Sequence, residues 1–387
     1  MITRYEDDWL AKIWSDEARV HRWGMVEQAI ASIQGDLGLI PAEAALAIQQ
    51  APWPNQAMVA SFEAELHHDV AAFVQAFSAG IPAGSRRWVH FRVTSSDLVD
   101  TGNALALGMS LEHLHRRTAE LWSVLGTLTN RYRDTPRLGR THGQAASETT
   151  FGNRVGVAFG IVGRAMLELE RAMEEVRVGK VLGPVGMGDR LVSERVCERL
   201  GLRAEVVATQ IVPRDRYLAA AWACLRTVIA CEDWATEIRL AAQEGVAEVA
   251  EPFADGQMGS SSMPHKRNPV RCERVCGVSR LARGYFQALA ESVVTWNERD
   301  IAHSSVERVA LVDLLHLTAF AVTEMLAVTE GLDVDHERMA WNLAVRRPAA
   351  DSADDLAEAI ESGKDRHDAY REIQATHRLK GRTDLTG

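Results

Sequence analysis

The chain has 387 residues and a formal net charge of −10, from 43 basic and 53 acidic residues. This acidic balance argues against a nucleic-acid or anionic-membrane partner. No apolar run is found that approaches the roughly 18 residues needed to span a bilayer, and the N-terminal sequence MITRYEDDWL lacks an apolar signal segment. The five cysteines are odd in number and lack CxxC spacing, so we expect a reduced, cytoplasmic protein without a metal site.

Helical periodicity dominates the chain and predicts four long helices. The clearest run begins after Pro213 and ends before Gly245, in the order expected of helix start and stop signals. The four predicted helices span residues 95–132, 149–178, 214–244 and 269–297. No alternating strand pattern of useful length is found. Because helices this long must bury an apolar stripe along their whole length, we predict an all-α fold built as a long-helix bundle.

Three glycines fall four residues apart in the second predicted helix, at Gly152, Gly156 and Gly160. Each costs about 1 kcal/mol of helix stability relative to alanine. Their common face therefore predicts close approach to another helix backbone, within the bundle or between subunits. Chance spacing in a glycine-containing helix is the alternative.

Residues 259–269 read GSSSMPHKRNP and have no apolar periodicity, which excludes a core helix or strand. The serines that follow Gly259 allow flexible backbone N–H groups to converge on an oxyanion. Lys266 and Asn268 are suited to holding a carboxylate. Prolines stiffen the segment, which a simple flexible linker would not need. Composition alone leaves a mobile functional loop and a linker equally open.

Three further polar segments stand out: LHHDVAAF (residues 66–73), VTSSDLVDTGNA (93–104) and GRTHGQAA (139–146). Each has a structural interpretation when taken alone. A lone histidine such as His142 is more often structural than catalytic. Thr94 and Ser95 precede a periodic run and so also suit a helix N-cap, although a helix N-terminus favours anions as well.

Together these segments resemble the signatures of the fumarase/aspartase superfamily, lyases that eliminate fumarate from succinyl compounds, and especially those of its adenylosuccinate-cleaving members. The resemblance covers roughly residues 1–335. It implies three helical regions: an N-terminal domain (1–94), a central long-helix bundle domain (95–335) and a short, atypical C-terminal segment (336–387). The central domain carries residues 259–269, which we call the signature loop. It further implies a homotetramer with a 20-helix core, in which each active site is built from three subunits.

The resemblance also implies roles for individual residues in a β-elimination, which needs a base at the carbon beside a carboxylate and an acid at the departing nitrogen. Ser260 is the expected general base and His142 the expected general acid. Lys266 is expected to stabilise the negative charge, His68 to assist at the leaving nitrogen and Glu273 to orient the catalytic histidine. The substrate-binding residues that it implies are Arg4, Tyr5, Asp69, Thr94, Ser95, Thr141, Gln144, Gln210, Ser261, Met263, Asn268, Arg274, Arg299, Ser304 and Arg308.

A phosphate-bearing substrate needs an anion site apart from the succinyl pocket. Five of the implied residues match the family's phosphate-site positions: Arg4, Tyr5, Arg299, Ser304 and Arg308. An arginine fork with a hydroxyl group suits phosphate, although the same spacing also suits a surface ladder of ion pairs. No metal and no organic cofactor are expected, because the substrate carboxylate itself serves as the electron sink.

The chain departs from the family pattern in three places. Arg92 stands where relatives usually have glycine, ASETT (146–150) replaces AEPTT, and the C-terminal region is short and atypical. Three hypotheses therefore remain open. The chain is an adenylosuccinate-type lyase, a specialised lyase that releases fumarate from a nitro-, hydrazino- or other N-linked succinate, or an inactive scaffold. In the second case Arg92 would contact the altered leaving group.

Overall fold

The computed structural model describes residues 1–254 and 256–383, and it is mostly helical, with 67% of the chain in helices. The α-helices are α1 (Asp8–Ile13), α2 (Asp16–Asp36), α3 (Ala42–Gln49), α4 (Gln56–Leu66), α5 (Asp69–Ala79), α6 (Ser95–Arg131), α7 (Phe151–Val176), α8 (Arg190–Arg199), α9 (Asp215–Ala241), α10 (Val270–Glu291), α11 (Ala302–Val306), α12 (Val312–Glu330), α13 (His336–Val345), α14 (Arg347–Glu361) and α15 (Arg366–Thr383). Short 3-10 turns at Thr3–Tyr5 and Arg86–Trp88 and a π-helical turn at Glu307–Leu311 complete the helical elements.

The long helices predicted from periodicity are confirmed. α6, α7 and α9 lie within a few residues of the predicted bounds, whereas α10 ends at Glu291, six residues before the predicted end. The β-branched run Val293, Val294 and Thr295 follows it, and such residues lose side-chain freedom in a helix. The backbone then reaches φ 51° at Asn297, which no right-handed helix accommodates.

The expectation of no useful strands was wrong for residues 136–150. β1 (Pro136–Thr141) and β2 (Gln144–Thr150) form an antiparallel hairpin with an irregular register between Leu138 and Arg140. Two shorter pairs also occur, β3 (Val178–Gly179) with β4 (Arg203–Ala204) in parallel, and β5 (Val249–Ala250) with β6 (Asp333–Val334) antiparallel. Because most hairpin residues are polar on both faces, their pattern gives only a weak period-2 signal.

The described residues form two compact units that both draw on the long helices. The first unit comprises Met1–Ala119, Arg164–Ile229 and Gly277–Thr323, and the second comprises Glu120–Gly163, Ala230–Cys276 and Glu324–Gly387. Within the first unit, Phe73 stacks on Phe77 with ring centroids 5.6 Å apart, and Trp23 meets Phe73 edge-on. These aromatic side chains form the centre of its N-terminal core. The division into residues 1–94, 95–335 and 336–387 remains a prediction.

The close backbone approach predicted from the glycine spacing is found at Gly152 in the second unit, against the turn that follows α6. A Cβ atom on Gly152 would lie 2.5 Å from the backbone of Arg133, and one on Gly156 would lie 3.4 Å from the Thr129 methyl group. The turn that follows α6 therefore packs against the start of α7 at a distance that only a missing side chain at Gly152 allows. Whether subunits also use this face stays a prediction.

The stretch Ala302–Glu330 is long and apolar enough to span a bilayer by length and composition, so the sequence-based statement that no such run exists was too strict. Of its most apolar 18-residue window, 67% is buried inside the protein, as in the core helix of a soluble protein. The five cysteines all lie within the described residues, where they are buried and form no disulfide bond.

Candidate active site

In the first unit, the two adjacent histidines between α4 and α5 have different roles. His67 ends α4 in the left-handed conformation, with φ 51°. His68 caps the N-terminus of α5, and its Nδ1 accepts a hydrogen bond of 3.3 Å from the Ala71 backbone N–H. The neutral His68 ring therefore carries its proton on Nε2. With 53% of the side chain exposed, this proton is available for donation to a bound molecule.

Asp69 and Arg308, two predicted substrate-binding residues, lie together. The Asp69 Oδ2 atom accepts a hydrogen bond of 2.6 Å from Arg308 Nη2. Burial opposes ionisation of Asp69, but the Arg308 guanidinium outweighs it and lowers the Asp69 pKa below its usual value. The Arg308 side chain remains 58% exposed, so the guanidinium has donors left for an anion.

Thr94 and Ser95 stand at the start of α6, as the N-cap interpretation expected. The Thr94 backbone N–H donates to Asp97 Oδ2 at 2.7 Å, and the Asp97 N–H donates to the Thr94 carbonyl at 2.9 Å. Asp97 in turn accepts from Lys180 Nζ at 2.5 Å, with both side chains fully buried. Sequence reasoning missed this pair, although a lone lysine in the apolar run VGKVLG was a usable signal.

Gln210 and Arg299 are also brought together. Arg299 Nη1 donates to Gln210 Oε1 at 3.1 Å, and the Gln210 backbone N–H donates to the Glu298 carbonyl at 3.2 Å. The Gln210 side-chain amide also donates to the Pro184 carbonyl at 3.3 Å. The carboxamide is thus fixed between two segments that are far apart in sequence.

In the described part of the chain, the side chains of the other three residues predicted to bind phosphate are not hydrogen-bonded to Arg299 or Arg308. Arg4 is exposed in the N-terminal 3-10 turn, and the Tyr5 ring packs edge-on against Phe320 with centroids 4.9 Å apart. Ser304 is half-buried in α11. In this unit Asp69 is hydrogen-bonded to Arg308 and Gln210 to Arg299, and His68 Nδ1 lies 3.6 Å from Asp69 Oδ1.

In the second unit, His142 lies at the tip of the β1–β2 hairpin. His142 and Gly143 form a two-residue turn with φ 56° and 72°, and Thr141 pairs with Gln144 across it. Positive φ at both central positions defines the turn that matches the twist of two short strands. All four side-chain positions are exposed. The predicted general acid and its two neighbours therefore form one projecting tip.

A buried carboxylate holds this hairpin. Glu248 Oε1 accepts from Arg140 Nη2 at 2.8 Å and from Asn342 Nδ2 at 2.9 Å, and its Oε2 lies 3.5 Å from Arg137 Nη2. The Glu248 side chain has no exposed surface. Two arginines of β1 thus anchor the strand that leads to His142, an arrangement that sequence reasoning did not find.

The signature loop directs two backbone amides at Ser260. Its Oγ accepts hydrogen bonds from the Ser262 N–H at 3.4 Å and the Met263 N–H at 3.2 Å. The Asn268 side-chain amide closes the loop by donating to the Gly259 carbonyl at 3.1 Å. Of the other predicted loop residues, Ser261, Met263 and Lys266 are exposed, and Asn268 is half-buried.

The start of α10 carries the last two predicted residues. Arg274 Nη2 lies 3.2 Å from Glu324 Oε2, so the guanidinium is paired within the unit. Glu273 is exposed, and its expected contact with a catalytic histidine stays a prediction. The Glu251 carboxylate accepts from the Cys272 N–H at 2.6 Å, so the helix N-terminus already has an anionic partner.

Comparison with known proteins shows the family to which the chain belongs. The sequence model of the Lyase family matches residues 3–284. The adenylosuccinate lyases of Thermotoga maritima and Synechocystis sp. are each 37% identical, over 97% of this chain, and the matches cover 87% and 88% of those proteins. The chain belongs to the fumarase/aspartase superfamily. It is a carbon–nitrogen lyase and, within the superfamily, one of the fumarate-releasing lyases.

Solved structures of two other enzymes share the fold. The 3-carboxy-cis,cis-muconate lactonizing enzyme of Pseudomonas putida superposes with a TM-score of 0.85 and 26% identity, covering 96% of this chain and 85% of that one. The fumarate lyase of Mesorhizobium sp. BNC1 has a TM-score of 0.88 and 24% identity, covering 99% and 88%. The fold of this chain is thus shared by proteins with which it has only about a quarter of its residues in common.

Proposed function

We propose that this lyase cleaves adenylosuccinate or a closely similar N-substituted aspartate into fumarate and the free amine. Ser260 acts as the general base and His142 as the general acid. Ser260 Oγ takes the proton from the carbon beside the distal carboxylate, and the electron pair spreads into that carboxylate. The carbon–nitrogen bond then breaks, and His142 supplies the proton that the leaving nitrogen needs.

The convergence of two backbone N–H groups on Ser260 Oγ carries the mechanistic proposal. A serine hydroxyl is far too weak an acid to be deprotonated at neutral pH without strong stabilisation of the alkoxide. The Ser262 and Met263 amides supply fixed dipoles at 3.4 and 3.2 Å, as in an oxyanion hole. Lys266, six residues on in the same loop, adds a positive charge. Together these groups support Ser260 as a base.

The names of the two similar proteins and the placement of two arginines, Arg299 and Arg308, support the substrate assignment. Both 37% identical relatives carry the name adenylosuccinate lyase. In the first unit, Arg308 retains exposed donors beside Asp69, and Arg299 is held by Gln210. We assign these two guanidinium groups to the phosphate, because planar forks bind phosphate oxygens in pairs. The corresponding biological role is purine biosynthesis in the cytoplasm.

A homotetramer with a 20-helix core and active sites shared among three subunits belongs to the same proposal. Large apolar side chains remain exposed along the long helices, which is typical of interaction surfaces. They include Val157, Leu167, Trp222, Leu240 and Leu281. Light scattering would give the assembly state. Activity recovered on mixing Ser260→Ala with His142→Asn subunits would support shared sites.

Arg92 is the observation that favours a second class of substrate, in which the leaving group is not a purine nucleotide. This residue has φ 59° where relatives carry glycine, so it keeps a left-handed backbone at the cost of strain. Its side chain lines a cavity of about 270 Å³ together with Gln34, Leu39 and Asp189. A leaving group other than the purine nucleotide, such as a nitro- or hydrazino-linked one, is the corresponding alternative.

The purified protein should be incubated with adenylosuccinate while fumarate and AMP are followed together. Equimolar formation of both supports the adenylosuccinate assignment. No reaction from a folded, assembled enzyme would contradict it. The same assay with other N-linked succinates, and with Arg92→Gly beside the unaltered enzyme, would then test the alternative.

A further inference from the structure

A buried arginine in the first unit uses all five of its donors. Arg214 Nη1 and Nη2 each donate to one oxygen of Asp100 at 2.9 Å. Its Nε donates to Glu307 Oε1 at 2.7 Å, and Nη2 also lies 3.4 Å from Glu307 Oε2. The fifth bond, from Nη1, goes to the Val212 carbonyl at 2.7 Å. A guanidinium has five N–H donors, so this one is saturated.

Both carboxylate partners are largely buried, Asp100 more so than the arginine and Glu307 less so. The side-chain exposures are 3% for Arg214, 1% for Asp100 and 10% for Glu307. Burial alone would lower the pKa of Arg214, but Asp100, Tyr217 and Glu307 raise it well above its usual value. Burial in turn raises the pKa of Glu307 to about 7, so Asp100 is the firmly ionised partner of the arginine. Burying such charges is expensive, and an apolar replacement is often as stable, so stability alone does not account for the cluster.

Each group in the cluster lies within five residues in sequence of a predicted substrate-binding residue. Asp100 is five residues after Ser95 in the same helix, α6, and it also accepts from the Val212 N–H at 2.7 Å. Arg214 itself follows Gln210 by four residues. One bidentate ion pair therefore connects the carboxylate-binding end of α6 to the segment that carries Gln210.

Through Glu307, Arg214 is also connected to the segment that carries two predicted phosphate-binding residues, Ser304 and Arg308. Glu307 directly precedes Arg308, and Ser304 is three residues before it. Glu307 lies at the start of the π-helical turn Glu307–Leu311, which offsets the helix at this point. Such turns are frequent at functional sites. The Arg214 guanidinium therefore holds this turn as well.

We propose that Arg214 is a positioning residue that fixes three substrate-binding segments, around Ser95, Gln210 and Arg308, in one geometry. It acts through Asp100 and Glu307 and does not itself touch the substrate. This inference rests on the proposed function for its kinetic consequence. The planar fork is essential, because a lysine has three donors on a compact ammonium and cannot bond both carboxylates and the Val212 carbonyl in this arrangement.

The test compares Arg214→Lys with Arg226→Lys. Arg226 lies in α9, the helix that begins directly after Arg214, and its partner at 2.5 Å is Glu168, which is not a predicted site residue. Arg214→Lys should raise KM for adenylosuccinate by at least about tenfold. Displacement of the substrate-binding side chains by about 1 Å is enough to weaken their action on the substrate by that factor. The change in kcat should be smaller, and Arg226→Lys should leave both constants within about twofold.

Amide hydrogen exchange gives a second readout that needs no substrate. In Arg214→Lys, the segments around residues 94–100, 209–214 and 304–308 should lose protection together, while Arg226→Lys should leave all three unchanged. A wild-type KM in folded Arg214→Lys, or loss of protection near residue 214 alone, would overturn the inference. If the unaltered enzyme does not cleave adenylosuccinate, the proposed function fails, and the exchange pattern alone decides the inference.

Glu307→Gln covers the case in which Arg214→Lys does not fold. It keeps an oxygen acceptor for Arg214 Nε but removes the charge, so it should loosen only the segment that carries Arg308. We expect KM to rise severalfold, with exchange faster around residues 304–308 and unchanged around residues 94–100. An unchanged KM with unchanged exchange in this variant would also overturn the inference.

Discussion

Lys180 and Asp97 form an ion pair in which neither side chain has exposed surface, with Nζ 2.5 Å from Oδ1. The same carboxylate accepts from the backbone N–H groups of Thr94, Leu182 and Gly183 at 2.7 to 3.1 Å. A single buried aspartate thus joins the start of α6 to residues 180–183, the segment that follows β3. The segment that carries Thr94 and Ser95 depends on it for its shape.

Asp97→Ala should therefore destabilise the protein severely. It leaves the Lys180 ammonium buried without a counter-charge, which typically costs about 3–5 kcal/mol, and it removes the acceptor for three amides. Denaturant titration would measure the loss in the free energy of unfolding. The control is Asp134→Asn, because the Arg133–Asp134 pair is 74% and 84% exposed and should contribute no more than about 0.5 kcal/mol. Equal effects in the two variants would contradict this account.

His142→Asn should remove catalysis and leave the hairpin intact. Asparagine tolerates the left-handed conformation that His142 adopts at φ 56°, so the two-residue turn survives. Loss of a general acid typically slows a reaction by about 10²–10⁴-fold. The measurement is kcat for fumarate release, with circular dichroism and thermal unfolding as checks on the fold. His142→Val has the wrong backbone preference and should lose stability as well. Near-normal kcat in His142→Asn would exclude His142 as the acid.

Ser260→Ala should lower kcat by at least about 10²-fold without changing the fold. The side chain is a half-buried loop hydroxyl that accepts only two long hydrogen bonds, so its packing contribution is small. Substrate affinity should stay close to that of the unaltered enzyme, because the carboxylate and phosphate partners remain. Single-turnover kinetics and equilibrium binding separate the two effects. The exposed Ser61→Ala in α4 serves as the control, and turnover retained by Ser260→Ala would remove Ser260 as base.

The features that the sequence predicted are those set by residues close together in the chain, and the buried ion pairs that it missed join residues far apart. The ends of α6 at Ser95 and Arg131 follow from local periodicity and were predicted to within a residue. The hairpin at His142 was missed because its strands lack a clean alternation. The Lys180–Asp97 pair joins residues 83 apart in sequence, and no local pattern reports such a partner. Most site residues, and all of the individual catalytic roles, were predicted only through the resemblance. Of these residues the structure bonds Asp69 to Arg308, Gln210 to Arg299 and the Met263 N–H to Ser260.

Arg308→Ala should weaken binding of a phosphorylated substrate more than it slows the chemical step. Loss of a hydrogen-bonded charge typically costs about 1.5–3 kcal/mol, which corresponds to a rise in KM of about 10- to 100-fold. The same variant should bind the dephosphorylated analogue, succinyladenosine, as well as the unaltered enzyme does. Steady-state kinetics on both substrates would measure the difference. If both substrates lost affinity equally, Arg308 would not be a phosphate ligand, and its pairing with Asp69 would be only structural.

His303 should make stability depend on pH. Burial lowers its pKa from 6.5 to about 4, and the positive charges of Arg214 and Arg299 act in the same direction, against smaller opposing contributions from Asp100 and Asp300. The unfolded chain therefore binds a proton between about pH 6.5 and pH 4 that the folded chain excludes. The stability that a neutral His303 allows is complete above pH 6.5 and is lost as the pH falls through this window.

His303→Gln cannot take up this proton, so it should lose less stability than the unaltered protein on acidification from pH 7.5 to about pH 5. Unfolding at both pH values gives the difference between the two proteins at each pH, which cancels the change in packing that the substitution itself causes. The side chain is 3% exposed, so salt should screen the effect only weakly. A difference that does not change with pH would mean that His303 titrates alike in the folded and unfolded chains, and that the neighbouring arginines do not act on it.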